Sequence, residues 1–148
     1  MKQQHQILEG SFVYSVEELD KAIDFLWPLF EKSAVMTLTG SLGAGKTTLA
    51  QALLKRAGII GPIQSPTYTY MSGYKTPSGL TICHFDLYRL STTKDFIQAG
   101  FDEYLYVENS KAVIEWPEII LPLLTHDVCH VAIEYEGFDQ RKLVYKFV

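Results

Sequence analysis

The apolar residues of this 148-residue chain switch between two spacings along the sequence. Short, nearly continuous apolar runs are typical of strands buried on both faces of a parallel sheet. Between several of these runs, apolar residues recur every three or four positions, as they do on the buried face of a helix. The runs predict strands at 7–14, 34–39, 68–74, 80–85, 111–115, 128–135 and 141–148. The helical spacing predicts helices from about 18 to 30, from 46 to 57, within 91–106 before Gly100, and from 117 to 124.

The start of the first helix carries a local signal. Ser15 and Glu18 have the spacing of a capping box, in which each side chain bonds to the other residue's backbone. Pro28 falls late in this helix or at its end, since proline cannot donate a helical hydrogen bond. Two turn-rich segments, 76–79 and 136–139, predict that the strands on either side of each form hairpins.

A glycine-rich segment directly follows the strand at 34–39 and opens the next helix. It reads Gly40-Ser41-Leu42-Gly43-Ala44-Gly45-Lys46-Thr47-Thr48, which fits G-x-x-x-x-G-K-T, the phosphate-binding loop. Its glycines allow backbone N–H groups to point at phosphate oxygens, and the helix N-terminus favours negative charge at the same place. In such a loop the lysine reaches the β- and γ-phosphates and the following threonine hydroxyl binds Mg²⁺. The sequence therefore predicts a nucleotide site built on Lys46 and Thr47.

This motif and the alternation of strands with helices define the expected fold class. We predict a three-layer α/β P-loop NTPase fold, with a mainly parallel sheet, antiparallel additions and helices on both faces. The length is that of one domain spanning 1–148. In such a sheet, ligands bind at the carboxyl ends of the parallel strands.

Two carboxylates lie at the ends of apolar strands and are candidates to complete the site. Asp86 follows Thr81-Ile82-Cys83-His84-Phe85, and Glu115 follows Ala112-Val113-Ile114. Parallel strands would bring both to the edge that carries the phosphate loop, where Mg²⁺ needs carboxylates and hydrolysis needs a positioned water. The alternative is that either acid is an ordinary solvated residue.

Other features narrow the function. Thr67, in Ser65-Pro66-Thr67, is either a switch that senses the γ-phosphate or part of a plain turn. The chain has no Asn-Lys-x-Asp segment for guanine, so adenine is the expected base. The net charge of −4 argues against independent nucleic-acid binding, and no apolar run is long enough to span a membrane.

Cys83 and Cys129 lie in apolar runs and are predicted to be buried thiols rather than a disulfide.

Several segments together resemble the TsaE family, formerly YjeE, of bacterial ATPases. Besides the phosphate loop, the resemblance rests on Ser65-Pro66-Thr67-Tyr68, on His84-Phe85-Asp86-Leu87-Tyr88-Arg89-Leu90, and on Ile114-Glu115-Trp116-Pro117-Glu118. The second and third of these are much more specific than the loop itself. Their order and spacing match from about Ser15 to Glu118, and the final strands match more loosely.

The resemblance implies a role for each matching residue. Thr47 and Glu115 would bind Mg²⁺, and Asp86, Lys46 and Thr67 would act in hydrolysis. His84 is interpreted as a hydrogen-bonded core residue, outside the catalytic set. Tyr88 and Arg89 would position the Asp86 loop, or Arg89 would contact phosphate. The nucleotide would also be bound by Ser15, Leu42, Gly43, Ala44, Gly45, Lys46, Thr47, Thr48, Trp116 and Arg141.

The family is implicated in threonylcarbamoyladenosine (t6A) modification of adenosine 37 in tRNAs that read ANN codons. The resemblance implies a cytoplasmic, Mg²⁺-dependent ATPase that resets a complex of TsaB and TsaD. Such a protein would contact tRNA only through these partners and would bind neither DNA nor membranes. Aromatic residues would form either a partner surface or core, namely Tyr68, Tyr70, Tyr74, Phe101, Tyr104 and Tyr106. Two rival functions remain from the residues alone: a P-loop kinase of a small metabolite, and a nucleotide-binding regulatory module without useful catalysis.

Overall fold

The computed structural model describes residues 8–63 and 69–148, so the proposed switch residue Thr67 lies outside the described residues. The strands are β1 (Leu8–Ser15), β2 (Val35–Thr39), β3 (Met71–Lys75), β4 (Thr81–Asp86), β5 (Ser110–Glu115), β6 (Val128–Tyr135) and β7 (Gln140–Phe147). The α-helices are α1 (Leu19–Lys32), α2 (Lys46–Arg56) and α3 (Thr93–Gln98). Short 3₁₀ helices cover Val16–Glu18, Phe101–Tyr104 and Glu118–Leu123.

The described strands form one sheet in the order β1-β7-β6-β2-β5-β4-β3. Its centre is parallel, because β2 pairs in parallel with both β5 and β6, and β4 pairs in parallel with β5. Its margins are antiparallel, through the pairs β1–β7, β6–β7 and β3–β4. The predicted parallel sheet with antiparallel additions is confirmed, including both predicted hairpins.

Residues on alternate positions of the central strands enter two different cores, as the period of a strand requires. Met36 and Leu38 of β2 pack with α1 and α2 on one face of the sheet. Val35 of the same strand packs on the other face, with α3 and the neighbouring 3₁₀ helices. The predicted three-layer architecture is therefore confirmed, and both faces of the central strands are covered.

Helix α1 continues through Pro28 to Lys32. Its start is tied by Glu18, whose Oε1 accepts hydrogen bonds from the hydroxyl and backbone N–H of Ser15. Leu29 and Phe30, just after the proline, are buried in the core. Their packing offsets the hydrogen bond that the proline cannot donate, because most helical stability in proteins comes from a buried apolar face.

Two predicted elements differ from the structure. The helix expected at 117–124 is a 3₁₀ helix over Glu118–Leu123. Pro122 lies inside it and has no N–H for the α-helical bonding pattern. The strand expected at 68–74 is Met71–Lys75. Of the aromatic residues, Tyr74, Phe101 and Tyr106 pack against the two cores, which favours the core interpretation for them.

Both cysteines are free and buried, as predicted. Cys83 and Cys129 belong to the cores on opposite faces of the sheet. Burial raises the pKa of the Cys129 thiol to about 12 and also raises the pKa of Cys83, so both behave as small apolar groups. Within residues 8–63 and 69–148, no helix has the length and apolarity that crossing a membrane requires.

We expect Phe96→Ala to lower the free energy of unfolding by about 3–5 kcal/mol, because its fully buried ring leaves a cavity. The Phe96 ring packs against those of Phe85 and Phe101, with centroids 5.8 and 5.7 Å away. Ile97→Ala, one residue along the same helix and 45% exposed, is the matched control and should cost about 0.5 kcal/mol or less. Urea unfolding measures both values, and equal losses would contradict the assignment of Phe96 to the second core.

Candidate nucleotide site

The phosphate loop joins β2 to α2 and needs glycine at two positions above all. Gly40 has φ +146°, and a Cβ there would lie 2.6 Å from the backbone oxygen of Ile133 in the adjacent β6. Gly45 has φ +109° and caps the N-terminus of α2. Only glycine adopts both conformations without strain, so the loop can curl directly into the helix and present the helix N-terminus at the carboxyl edge of the sheet.

Lys46, the first residue of α2, turns its side chain back over the loop. Its Nζ donates to the backbone oxygens of Gly40 at 2.8 Å and Ser41 at 2.9 Å. The same atom lies 4.2 Å from the ring centroid of Trp116, a cation–π distance. Burial lowers the pKa of Lys46, whereas nearby carboxylates, first that of Glu115, act in the opposite direction. A single ammonium group is thus held inside the loop.

Thr47 begins a short chain of hydrogen bonds that ends in the sheet. Its hydroxyl donates to Oε1 of Glu115 at 2.7 Å. The other oxygen of Glu115, Oε2, lies 2.7 Å from Nε2 of His84. Glu115 and His84 are almost completely buried, at 1% and 0% exposure. His84 is therefore a hydrogen-bonded core residue, as its sequence context predicted, and its partner is the predicted metal ligand.

Asp86 lies beside Glu115, because these two residues are paired in the register of β4 and β5. Asp86 is 8% exposed, and its Oδ1 accepts a hydrogen bond from the backbone N–H of Tyr88 at 3.1 Å. The parallel pairing thus brings both strand-end carboxylates to the phosphate loop, as the sequence predicted.

A cavity of about 420 Å³ connects these groups. Trp116 forms one wall in a left-handed backbone conformation, with φ +55°, and its ring centroid lies 4.8 Å from that of Tyr88. The lining contains most of the predicted site: Leu42, Gly43, Gly45, Lys46, Thr47, Thr48, Asp86, Tyr88, Arg89, Glu115 and Trp116. Its volume is within the range of small-ligand sites.

A smaller cavity of about 180 Å³ lies against the other side of the loop and shares Gly43, Gly45 and Thr48 with the first. It is lined by Tyr14, Val16, Leu19, Gly43, Ala44, Gly45, Thr48 and Arg141. The predicted residues Ala44 and Arg141 therefore belong to this second cavity. Burial is the main influence on Tyr14 and raises its pKa, while the charge of Arg141 acts in the opposite direction.

The hairpin of β6 and β7 holds the loop from outside. Nε of Arg141 donates to the backbone oxygen of Ala44 at 3.3 Å, and the Tyr135 hydroxyl donates to that of Gly43 at 3.1 Å. The Arg141 guanidinium lies 4.2 Å from the Tyr135 ring centroid. No motif in the sequence identifies Tyr135 as part of this site. Tyr135 is the last residue of β6, just as Asp86 and Glu115 are the last residues of their strands. This position was the sequence feature that could have indicated a place near the loop.

Among the predicted site residues that the structure describes, Ser15 alone lines neither of these cavities. Its neighbours Tyr14 and Val16 line the smaller one, while its own hydroxyl donates to Glu18. In the described part of the chain, no group of three or more His, Cys, Asp or Glu side chains could hold a metal by itself. Oxygen donors from Thr47, Glu115 and Asp86 suit Mg²⁺, which usually takes only one or two carboxylates and completes its shell with phosphate and water.

Comparison with known proteins agrees with this geometry. The family model described as "Threonylcarbamoyl adenosine biosynthesis protein TsaE" matches residues 13–143. A tRNA threonylcarbamoyladenosine biosynthesis protein TsaE of Rickettsia felis is 38% identical over 126 residues, covering 84% of this chain and 72% of the relative. The protein of the same name from Aquifex aeolicus is 32% identical over 139 residues, covering 93% of each chain.

A solved structure has a similar fold. The crystal structure of Bacillus subtilis YdiB superposes with a TM-score of 0.74 at 28% identity, covering 98% of this chain and 89% of that one. The family match covers the phosphate loop, both strand-end carboxylates and the hairpin residues Tyr135 and Arg141. On this evidence, the chain belongs to the TsaE family.

Proposed function

We propose that this chain is a cytoplasmic, Mg²⁺-dependent ATPase required for t6A modification of adenosine 37 in tRNAs that read ANN codons. The observation that carries the proposal is one cavity in which the phosphate loop, Lys46, Thr47, Glu115 and Asp86 converge. Membership of the TsaE family supports a role in threonylcarbamoyladenosine biosynthesis. The proposal treats residues 1–148 as one ATPase domain.

Binding of a triphosphate would use the loop amides and Lys46. The Lys46 ammonium would exchange its bonds to the Gly40 and Ser41 carbonyls for bonds to phosphate oxygens. Charged hydrogen bonds of this kind are stronger than bonds to neutral carbonyls. Lys46 would then stabilise the negative charge that develops on the phosphates in the transition state. The nucleobase would lie towards the smaller cavity near Arg141, which is lined by Tyr14 and Val16, the residues on either side of Ser15.

The residues present fit a magnesium ion. The Oγ1 of Thr47 and Oε1 of Glu115 are 2.7 Å apart, close to the roughly 3 Å between adjacent ligands of an octahedral ion with bonds of about 2.1 Å. When bound, Mg²⁺ would neutralise charge on the β- and γ-phosphate oxygens. Asp86 would orient the attacking water and accept its proton, and Thr67 would act as the switch residue.

The proposed partners are TsaB and TsaD, which ATP hydrolysis would reset between catalytic cycles. The net charge of −4 supports a protein that leaves direct contact with tRNA to those partners and that binds neither DNA nor membranes. Hydrolysis would relax the segment 65–70, which contains the proposed switch residue Thr67, and would thereby change the affinity for the partner complex.

The central experiment measures ATP hydrolysis by this chain alone and with TsaB and TsaD of the same organism. We expect the partners to increase turnover. ATP binding without any stimulation would favour a regulatory module. Turnover that depends on a small acceptor molecule instead would favour a kinase.

Substitution of the two carboxylates should have different effects. With partners present, we expect Asp86→Asn to lower ATP turnover by about 10²–10⁴-fold and to change the ATP dissociation constant little, because a general base acts mainly in the chemical step. Glu115→Gln should instead raise the Mg²⁺ concentration needed for half-maximal rate. Glu103→Gln, which changes an exposed acid in the 3₁₀ helix Phe101–Tyr104 away from the cavity, is the control. Wild-type turnover in both site variants would refute the assignment.

The Tyr135 hydroxyl should contribute to nucleotide affinity without touching the nucleotide. Tyr135→Phe keeps the ring beneath Arg141 and removes one hydrogen bond to the loop, so we expect the ATP dissociation constant to rise about two- to tenfold. Tyr104→Phe, which removes an exposed hydroxyl elsewhere, should bind ATP as the wild type does. Calorimetric titration would measure both constants. Equal affinity of the Tyr135 variant and wild type would contradict a role in holding the loop.

A further inference from the structure

His84 lies within β4, and its ring is fully buried. Nε2 is 2.7 Å from Oε2 of Glu115, and Nδ1 has no hydrogen-bond partner among the described residues. A carboxylate oxygen can only accept, so the proton of the short contact belongs to Nε2. Glu115 is therefore the one described group to which this buried ring offers a hydrogen bond.

The other oxygen of Glu115 is bound from a different element. Oε1 accepts a hydrogen bond from the hydroxyl of Thr47, at the start of α2, while Oε2 is held by His84 of β4. Two hydrogen bonds at opposite oxygens fix the rotation of the carboxylate as well as its position. Without the bond to Oε2, the Glu115 side chain would be free to rotate about its last torsion, which is broad for glutamate.

We propose that His84 is a positioning residue for the metal site: it holds Oε2 of Glu115 so that Oε1 alone faces Thr47 and the divalent cation. The proposal rests on the function proposed above and adds a residue to it. Groups that orient a metal ligand in this way influence metal affinity strongly, with typical losses of 10–100-fold on substitution. His84 reaches the cation only through Glu115 and does not itself touch substrate.

A second histidine offers a matched control. His130 of β6 is half-buried and lies 2.7 Å from the Thr37 hydroxyl through its Nδ1. It pairs with a residue of the same sheet, yet it is not among the residues that line the nucleotide cavity. Replacing it tests what the loss of a hydrogen-bonded histidine does to the fold alone.

The test compares two amides at position 84. The side-chain nitrogen of glutamine lies about where Nε2 of histidine lies, whereas that of asparagine corresponds to Nδ1. His84→Gln therefore keeps a donor for Glu115, and His84→Asn removes it without introducing an apolar group. The full chain is mixed with ADP, and Mn²⁺ binding to the ADP complex is followed by electron paramagnetic resonance. ADP affinity in EDTA is measured separately, so that the metal effect does not depend on hydrolysis.

We expect His84→Asn to weaken Mn²⁺ binding to the ADP complex by about 10–100-fold while leaving ADP affinity in EDTA unchanged. His84→Gln should stay within about threefold of wild type, because one hydrogen bond of similar strength replaces another. His130→Asn should bind Mn²⁺ as the wild type does. Thermal unfolding of each variant, measured alongside, shows whether the fold is equally stable.

Other results would overturn the proposal. Unchanged Mn²⁺ affinity in His84→Asn would remove the positioning role. Equal losses in the Asn and Gln variants, or a parallel loss of ADP affinity in EDTA, would assign His84 to the fold alone. If the wild-type ADP complex binds no Mn²⁺, the proposed magnesium-dependent function fails and the role of His84 fails with it. If the wild type binds Mn²⁺ and both amide variants match it, only the role of His84 fails.

Discussion

The parallel register of β4, β5 and β2 is the constraint on which the site depends. It pairs Asp86 with Glu115, and Glu115 with Leu38 near the start of the phosphate loop. Neighbouring strands lie about 4.8 Å apart, so these three strand ends are within reach of one small ligand. A slip of one residue would turn every side chain of β5 to the opposite face of the sheet. Val113 and Ile114 are fully buried in different cores, so packing on both faces secures the position of Glu115.

The groups held by this register are expensive to bury. Glu115, His84 and Lys46 are all buried, and each is hydrogen-bonded to another part of the site. Buried polar and charged groups seldom add to stability compared with apolar residues of similar size, and removing one partner leaves the other uncompensated. Their presence here is therefore better explained by the chemistry of the site than by the stability of the fold. The surrounding apolar layers, built on residues such as Leu53 and Phe85, offset that cost.

The sequence predicted the parts of this molecule that depend on local patterns. Buried strands, the phosphate loop and the strand-end positions of Asp86 and Glu115 follow from spacing and from the rule that parallel strands end together. Contacts between distant segments were not predictable in this way. The hydrogen bond from Tyr135 to the loop needs the pairing of β6 with β2 and the curl of Gly43, and the position of Tyr135 at a strand end establishes neither of these by itself. Likewise, Pro28 inside α1 depends on burial of the residues that follow it.

The charge balance of the cavity suggests that a bound cation would strengthen nucleotide binding. Lys46, Arg89, Asp86 and Glu115 all line the cavity, so the side chains there carry no excess of positive charge when all four are ionised. A triphosphate would add several negative charges close to two carboxylates in a partly buried place, where repulsion is weakly screened. The loop amides and the α2 N-terminus offset only part of that repulsion, since a helix end acts as roughly half a charge. In the function proposed above, a divalent cation held by Thr47 and Glu115 would offset the rest, so the orientation of Glu115 would influence affinity for the metal–nucleotide complex as well as the chemistry.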